Sequence, residues 1–513
     1  MEIFGLMCVP LYLILALVTA ILFYIYATWT FDYFKTRGIP GPPPTPLLGH
    51  ATGVSFFHKL KDWKQQYGDV FGIFVGRKPT FVISDLDILK EVLVKSFSSF
   101  RNRLKFQLIA SPLSLSVFFL EDAPWKRVRN IISPTFSGGK LRRMCAAIND
   151  CSSTLTKNFY SDMMKTDGLI MKEYFGAYTM DVITQTVFGI KIDSQNDLNN
   201  PFVRNAKTIF SLPKARRLLP VLVGLVPCLE PILLKLGLGI FPQSVLDFFQ
   251  NAVREIMKQR QNDTEEQQKK RSDFLQLLME AEIEDDTDDD TNTANGQASD
   301  QQTLRRLSVD EIVGQGIVFF IAGYDTTAST LTFASYSLAM NQDAQEKTYK
   351  EIREVLGNAP PDYDNIGKLK YLDKVITETL RLYPPGPVLS RRASETVQIK
   401  GYTITEGQVI FIPVFAMQRD PQLFQDPDSF RPERHDEKIN PLTFLSFGYG
   451  PRMCVGMRLA LIETKIALTH LLRSIKLEPM PDTQKVLTFK IANILTPEKD
   501  IRLKLSPRKL YDD

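Results

Sequence analysis

The 513-residue sequence predicts a mainly α-helical fold with small β-sheets, carried on a single N-terminal transmembrane helix. Three observations predict it. Residues 3–31 carry no charge and exceed the ~20 residues that span a bilayer. Apolar residues recur at helical spacing in the second half of the chain, through Leu459, Ile462 and Ile466 and along a run opened by Ser308. Short β-branched runs such as Thr80-Phe81-Val82-Ile83 read as a small sheet beside the helices.

Composition excludes some classes. A net charge of +4 argues against a nucleic-acid partner. Five cysteines, Cys8, Cys145, Cys151, Cys228 and Cys454, are odd in number and scattered, which fits a reducing compartment rather than a disulfide framework. Length alone would suit two to four domains of about 150 residues.

Residues 1–30 read as an uncleaved signal anchor. Glu2 precedes the apolar stretch while Lys35 and Arg37 follow it, which leaves the rest of the chain in the cytosol. Residues 31–50 form a hinge around Pro40-Gly41-Pro42-Pro43-Pro44-Thr45-Pro46, too proline-rich for helix or central strand. It reads equally as a plain linker or as a spacer fixing the globular part against the membrane. Trp125 and Arg129 are four apart on one helical face, and both can donate to a carboxylate. Lys126, Arg127, Lys140, Arg142 and Arg143 crowd basic charge around that helix.

Residues 218–241 are apolar but interrupted by Pro220, Pro227 and Pro231, so no second spanning helix forms there. They read as a roof that dips into the membrane interface and admits apolar substrate. Residues 282–300 are acidic and without apolar period, a disordered surface loop. Ser308-Val309-Asp310-Glu311 is a capping box opening a helix that runs to about Met340. Within it, Ala322-Gly323-Tyr324-Asp325-Thr326-Thr327 puts a glycine, an acid and hydroxyls where an apolar helix would be cheaper. Threonine back-bonding is the structural alternative. Glu378 and Arg381 meet at i, i+3, by default a surface ion pair.

The most specific stretch is Phe447-Gly448-Tyr449-Gly450-Pro451-Arg452-Met453-Cys454-Val455-Gly456. Gly448 and Gly450 make a shaped loop that delivers Cys454 to the start of a helix. There, backbone N–H groups and the positive helix end are expected to lower the thiol pKa from ~8.5 and favour thiolate.

Phe447, Gly450, Arg452, Cys454 and Gly456 at this spacing resemble the haem-binding loop of the cytochromes P-450. The resemblance covers nearly everything after the anchor and implies one large α-rich catalytic domain, residues 51–513. Haem b would lie between the oxygen-side (I) helix and the Cys loop with its L helix, its iron held axially by the thiolate of Cys454. The same resemblance puts Trp125, Arg129, Arg391, Arg452 and Arg103 at the propionates, Phe447 against sulfur and porphyrin, and the bare backbone of Gly456 beneath the macrocycle. It makes Thr326 and Asp325 an alcohol–acid pair relaying protons, with Gly323 allowing the helix to open over the haem. Glu378, Arg381 and Arg434 become a buried structural lock, in which His435 stands where the family usually has Phe. Phe319, Ile321, Ala322, Val388, Leu389 and Asn493 would face substrate.

Phe319-Phe320-Ile321-Ala322-Gly323-Tyr324, Ser133-Pro134-Thr135-Phe136-Ser137 and Arg419-Asp420-Pro421 bring the chain nearest to the drug- and steroid-oxidising family 3 and its neighbour thromboxane synthase. The implied activity is a microsomal monooxygenase of the endoplasmic reticulum membrane, acting on lipophilic xenobiotics, steroids or fatty acids with O2. Its electrons would come from NADPH through a reductase flavoprotein carrying FAD and FMN, with cytochrome b5 as a second donor. A thromboxane-synthase-like isomerase or lyase, which needs no NADPH, is the alternative. Such enzymes commonly lose the helix threonine, so Asp325-Thr326 weighs against it. A haem sensor without turnover would also lack the relay.

Overall fold

The computed structural model describes residues 11–50, 56–197, 199–211, 214–264, 273–283, 307–437, 439–490 and 494–508. Helix α1 (Leu11–Thr28) is apolar on every side and exposed along almost its whole length, with mean hydropathy 2.2. An all-round apolar helix of this length has no place on a water-facing surface. Its end is tied to the globular part, because Leu47 N–H donates to the Ala27 carbonyl at 3.1 Å and the Arg77 guanidinium lies 3.7 Å over the Tyr26 ring.

The proline-rich stretch after α1 is docked rather than free. Gly72 N–H donates to the Pro40 carbonyl at 2.8 Å. Buried His50 accepts Phe74 N–H on Nδ1 at 2.9 Å and donates from Nε2 to the Pro42 carbonyl at 3.0 Å. An accepting Nδ1 fixes the tautomer, and burial lowers the His50 pKa, so the ring stays neutral. Helix α2 (Phe56–Tyr67) leads into strands β1 (Val70–Val75) and β2 (Lys78–Ile83). With β3 (Leu389–Arg392) and β4 (Val409–Ile412) they form one sheet in the order β1-β2-β4-β3, in which β2 and β4 run parallel. Phe71, Ile73, Phe81 and Ile410 are fully buried, so helices cover both faces.

The helices that frame the interior are α3 (Asp122–Ile132), α4 (Gly138–Met163), α5 (Met171–Val187), α6 (Lys214–Leu225), α7 (Leu229–Lys235), α8 (Phe274–Ile283), α9 (Val309–Met340), α10 (Lys370–Leu382) and α11 (Met457–Ser474). The axis of the fold is α9, packed along α5 and touching α10 and α11. Its capping box is formed: Ser308 Oγ accepts Glu311 N–H at 3.2 Å, and Glu311 Oε2 accepts Ser308 N–H at 2.9 Å. Helix α8 continues through Glu282 and Ile283, two residues into the stretch expected to be loop, because Met279-Glu280-Ala281 are strong helix formers. Residues 284–300 lie outside the described residues.

The 218–241 region is two short helices, α6 and α7, separated at Pro227. Leu222, Val226, Ile232, Leu236 and Leu238 are exposed on it, an apolar surface continuous enough to call for an apolar partner.

Glu378 on α10 is the centre of a buried charge network. Arg381 grips it with two hydrogen bonds of 2.8 and 2.9 Å, Arg434 Nε adds a third at 2.8 Å, and Arg431 N–H a fourth at 2.9 Å. His435, where the family usually has Phe, is not a packing substitute: its Nε2 lies 2.9 Å from Glu378 Oε2. Burial alone would raise the Glu378 pKa, but the bonds from Arg381 and His435 and the Arg381 charge bring it down to about 2. The carboxylate therefore contributes stability above its ordinary 4.5, and that contribution disappears as pH falls toward 2.

Glu378→Ala should leave Arg381 and Arg434 buried without a counter-charge and cost ~3–5 kcal/mol. Thermal denaturation should register it as a large fall in melting temperature. Lys347→Ala, which breaks an exposed pair with Glu433, should change melting little.

Candidate active site

Two glycines shape the cysteine loop. Gly448 and Gly450 hold φ values of +74° and +76°, and a Cβ on Gly450 would stand 2.1 Å from the Leu93 carbonyl oxygen. The loop closes through Cys454 N–H to the Phe447 carbonyl at 2.8 Å and Met453 N–H to the Gly450 carbonyl at 3.0 Å. Helix α11 begins at Met457 with Gly456 as its N-cap, so the Cys454 sulfur receives the N–H groups of Gly456 and Met457 at the positive helix end. These donors act as the sequence predicts, yet the net shift of the thiol pKa is upward. Burial outweighs the two N–H groups and the charges of Arg129 and Arg103. The side chain is dehydrated by surrounding protein and still accessible. Both hold when the sulfur faces an interior hollow.

Cations gather around that sulfur. Arg103 and Arg129 lie close enough to stabilise a Cys454 thiolate, and Arg391 and Arg452 adjoin Arg103. None of the four has a carboxylate in salt-bridge contact among the described residues. Burial, with repulsion from neighbouring arginines, lowers the pKa of Arg103 to about 10, of Arg391 to about 9 and of Arg452 to about 8. Guanidinium does not give up its proton in proteins, so these shifts measure uncompensated charge. Arg391 bonds one backbone carbonyl, that of Ser390, and its Nε has no partner. Arg452 is better satisfied. It donates to the carbonyls of Arg101 at 2.8 Å and Leu120 at 2.9 Å, and its guanidinium stacks 4.0 Å from the Trp125 ring centre. It thus ties the cysteine loop to the 101–120 loop and to α3.

The opposite wall is α9. Phe319, Ala322 and Thr326 fall at i, i+3 and i+7, one face of the helix, and Ala322 is exposed in the middle of an otherwise buried helix. Accessible side chains on two mutually packed elements, each otherwise buried, define the walls of a hollow. Thr326 Oγ1 donates to the Ala322 carbonyl at 2.7 Å, the back-bonded state. Asp325 does not bond it. Consecutive helical residues point about 100° apart, and the Asp325 carboxylate turns to α5, 2.7 Å from Lys172 Nζ, which also donates to Ser329 Oγ at 2.6 Å. Gly323 does not open the helix either. A Cβ there would stand 2.4 Å from Ile183 Cδ1, so it permits close approach of α5, and α9 is unbroken.

The cytochrome P450 family model matches residues 39–505. The chain belongs to this family. It is 39% identical to cytochrome P450 3A29 of Sus scrofa over 507 residues, covering 96% of both chains. It is likewise 39% identical to cytochrome P450 3A9 of Rattus norvegicus over 503 residues, with 96% of each covered. To cytochrome P450 3A5 of Homo sapiens it is 38% identical over 521 residues, 99% of each.

As a cytochrome P450 the chain is a monooxygenase, an oxidoreductase that uses haem with a cysteine thiolate as axial ligand. The residues present fit that group: an accessible sulfur at a helix start, an apolar wall opposite, and buried guanidinium groups where a macrocycle with two carboxylates would supply the missing negative charge. Of the positions predicted to face substrate in this P450, Phe319, Ile321 and Val388 join one apolar cluster with Phe447. Leu389 does not. It packs into a different cluster with Phe100 and Ile412, because successive residues entering β3 point to opposite sides. Asn493 lies outside the described residues.

Sequence reasoning missed Lys172, since nothing in its neighbourhood marks a lysine destined for Asp325. It also missed Gln418, fully buried, which accepts Leu445 N–H at 2.8 Å and donates to the Arg381 carbonyl at 2.9 Å, binding α10 to the segment before the cysteine loop. Its place directly before Arg419-Asp420-Pro421 was the available signal.

Arg391→Met should separate folding from cofactor retention. The haem-free protein should melt no lower than wild type, because an unpaired buried charge is gone, while haem loss to an excess of apomyoglobin accelerates by the equivalent of ~2–5 kcal/mol. Cys454→Ser should fold and give no red-shifted Soret band with CO after reduction.

Proposed function

We propose that this P450 is a microsomal monooxygenase oxidising lipophilic substrates, with Cys454 as the axial ligand. The observation that carries this reading is the desolvated, accessible sulfur at the start of α11, near half-buried Arg103 and Arg129 and buried Arg391 and Arg452, and across from the Thr326 face of α9. Bound haem supplies the oxidising chemistry. Cys454 holds it as thiolate, stabilised by Gly456 and Met457 N–H, Arg129 and Arg103 once a metal cation offsets the cost of burial. Arg391, Arg103 and Arg129 would receive the propionates, Arg452 and Trp125 would brace them, and Phe447 and Gly456 would give the macrocycle an apolar floor and a close backbone.

Thr326 presents its hydroxyl on the Phe319–Ala322–Thr326 face, and rotation about χ1 releases it from the Ala322 carbonyl toward the hollow. Asp325 stands behind it, held by Lys172, and delivers protons when that ion pair exchanges with water. Residues 1–30 anchor the protein in the endoplasmic reticulum membrane with residues 51–513 in the cytosol, joined by the docked hinge of 31–50. The exposed apolar side chains of α6 and α7 provide a second membrane contact. An NADPH-dependent reductase with FAD and FMN is the electron donor, with cytochrome b5 as an accessory. Arg127 and Arg142 are ion-paired with Glu311 and Asp364, so the cations left to attract an acidic flavoprotein around α3 are Lys126, Lys140 and Arg143.

Thr326→Ala tests the reading against an NADPH-independent isomerase. With haem and thiolate spectra intact, NADPH consumption should continue while hydrogen peroxide rises and oxygenated product per NADPH falls about tenfold or more. Rapid conversion of a fatty-acid endoperoxide without NADPH, unchanged by Thr326→Ala, would replace the monooxygenase reading.

A further inference from the structure

Among the described residues, Leu108 is the one point at which the 103–120 loop grips the roof from both sides of its own peptide. Its N–H donates to Glu230 Oε1 on α7 at 2.8 Å, and its carbonyl accepts Ile240 N–H at 3.0 Å from the turn beyond α7. Arg216 of α6 closes the arrangement by donating to the Gly239 carbonyl at 2.7 Å. Leu108 is fully buried and sits at φ +60°, the left-handed region, which a bulky side chain adopts at a cost and keeps only when its surroundings over-determine it. The two hydrogen bonds are that determination. Glu230 and Lys235 are the two charged residues in 218–241, and half-buried Glu230 is the one whose side chain accepts a backbone N–H of the 103–120 loop. That N–H belongs to Leu108.

The consequence reaches the hollow. Ile109 and Ala110, next to Leu108, pack into the same apolar cluster as Phe241, Phe319, Ile321 and Val388. When α7 lifts, Leu108 loses both partners and relaxes toward ordinary backbone angles, taking its neighbours with it. We propose that Glu230 is a positioning residue that sets access for bulky apolar substrates: its bond to Leu108 latches the 103–120 loop to the roof, and release of the latch widens the way in. The strain at Leu108 makes this a two-state element rather than a graded one. The inference rests on the reading of the hollow as the substrate site.

The test uses the full-length holoenzyme in phospholipid nanodiscs. Glu230→Ala and Glu230→Leu both delete the acceptor, the second keeping a strong helix former of the roof's apolar character, while Glu230→Gln retains an acceptor oxygen. Hydrogen exchange at the Leu108 and Ile240 amides should speed about tenfold in the first two variants, the equilibrium worth of one hydrogen bond to a charged acceptor, and return toward wild type in the third. Stopped-flow spin-state changes should show association and dissociation of a bulky steroid both accelerated several-fold in Ala and Leu, with cyanide binding unchanged and Gln close to wild type. Wild-type exchange at both amides in Glu230→Leu overturns the proposal. So do unchanged steroid rates, an equal effect on cyanide, or a Gln variant that behaves like Leu. If wild type itself gives no spin-state change with any lipophilic ligand, the substrate-site reading fails, and the exchange data still decide the latch.

Discussion

The structure depends on positive charge buried without a protein counter-charge. Arg103 and Arg129 stand near a sulfur that burial drives toward the neutral thiol, and Arg391 and Arg452 adjoin Arg103, so this part of the interior gathers cations with no carboxylate in salt-bridge contact among the described residues. A protein folding for its own stability alone would not make this arrangement, since desolvating a charge costs several kcal/mol that Coulomb attraction must return. A haem, with its two carboxylates and a metal that favours thiolate, would supply that negative charge. The cofactor is thereby part of the energetics of the fold as well as of the chemistry.

The Glu378 network is the counter-example in the same molecule. There a carboxylate as deeply buried is matched by Arg381, Arg434, His435 and the Arg431 N–H, and its pKa falls to about 2 rather than rising. Every donor comes from α10 or from the 425–436 segment, so the charge welds that segment to the helix. Gln418 and Ser446 extend the weld to residues 445 and 446, next to the cysteine loop. The scaffold is satisfied where it must be rigid. Charge is left unmatched where a ligand must complete it.

Between the membrane and this core, the same principle fixes the approach. The docked hinge, with His50 bridging Pro42 and Phe74, removes freedom that a plain linker would have, while α6 and α7 leave their apolar side chains outward. A hinge docked in this way holds the end of α1 against the globular part, and α6 and α7 leave an apolar surface uncovered.

What the sequence determined by itself is what lies within about one helical turn or one loop. The capping box at Ser308, the positive-φ glycines of the cysteine loop, the Trp125–Arg129 face, the Glu378–Arg381 pair and the proline-broken roof are local patterns, written by residues that touch one another in the chain. Tertiary structure decided whatever needed a distant partner or a measure of burial. Asp325 faces Lys172, 153 positions away in sequence, instead of Thr326; Leu108 finds Glu230 across 122 positions; His435 bonds Glu378 across 57. The upward shift of the Cys454 pKa belongs to the same class, because the helix end that lowers it is legible in the sequence and the desolvation that overcomes it exists only after the chain has closed around the sulfur.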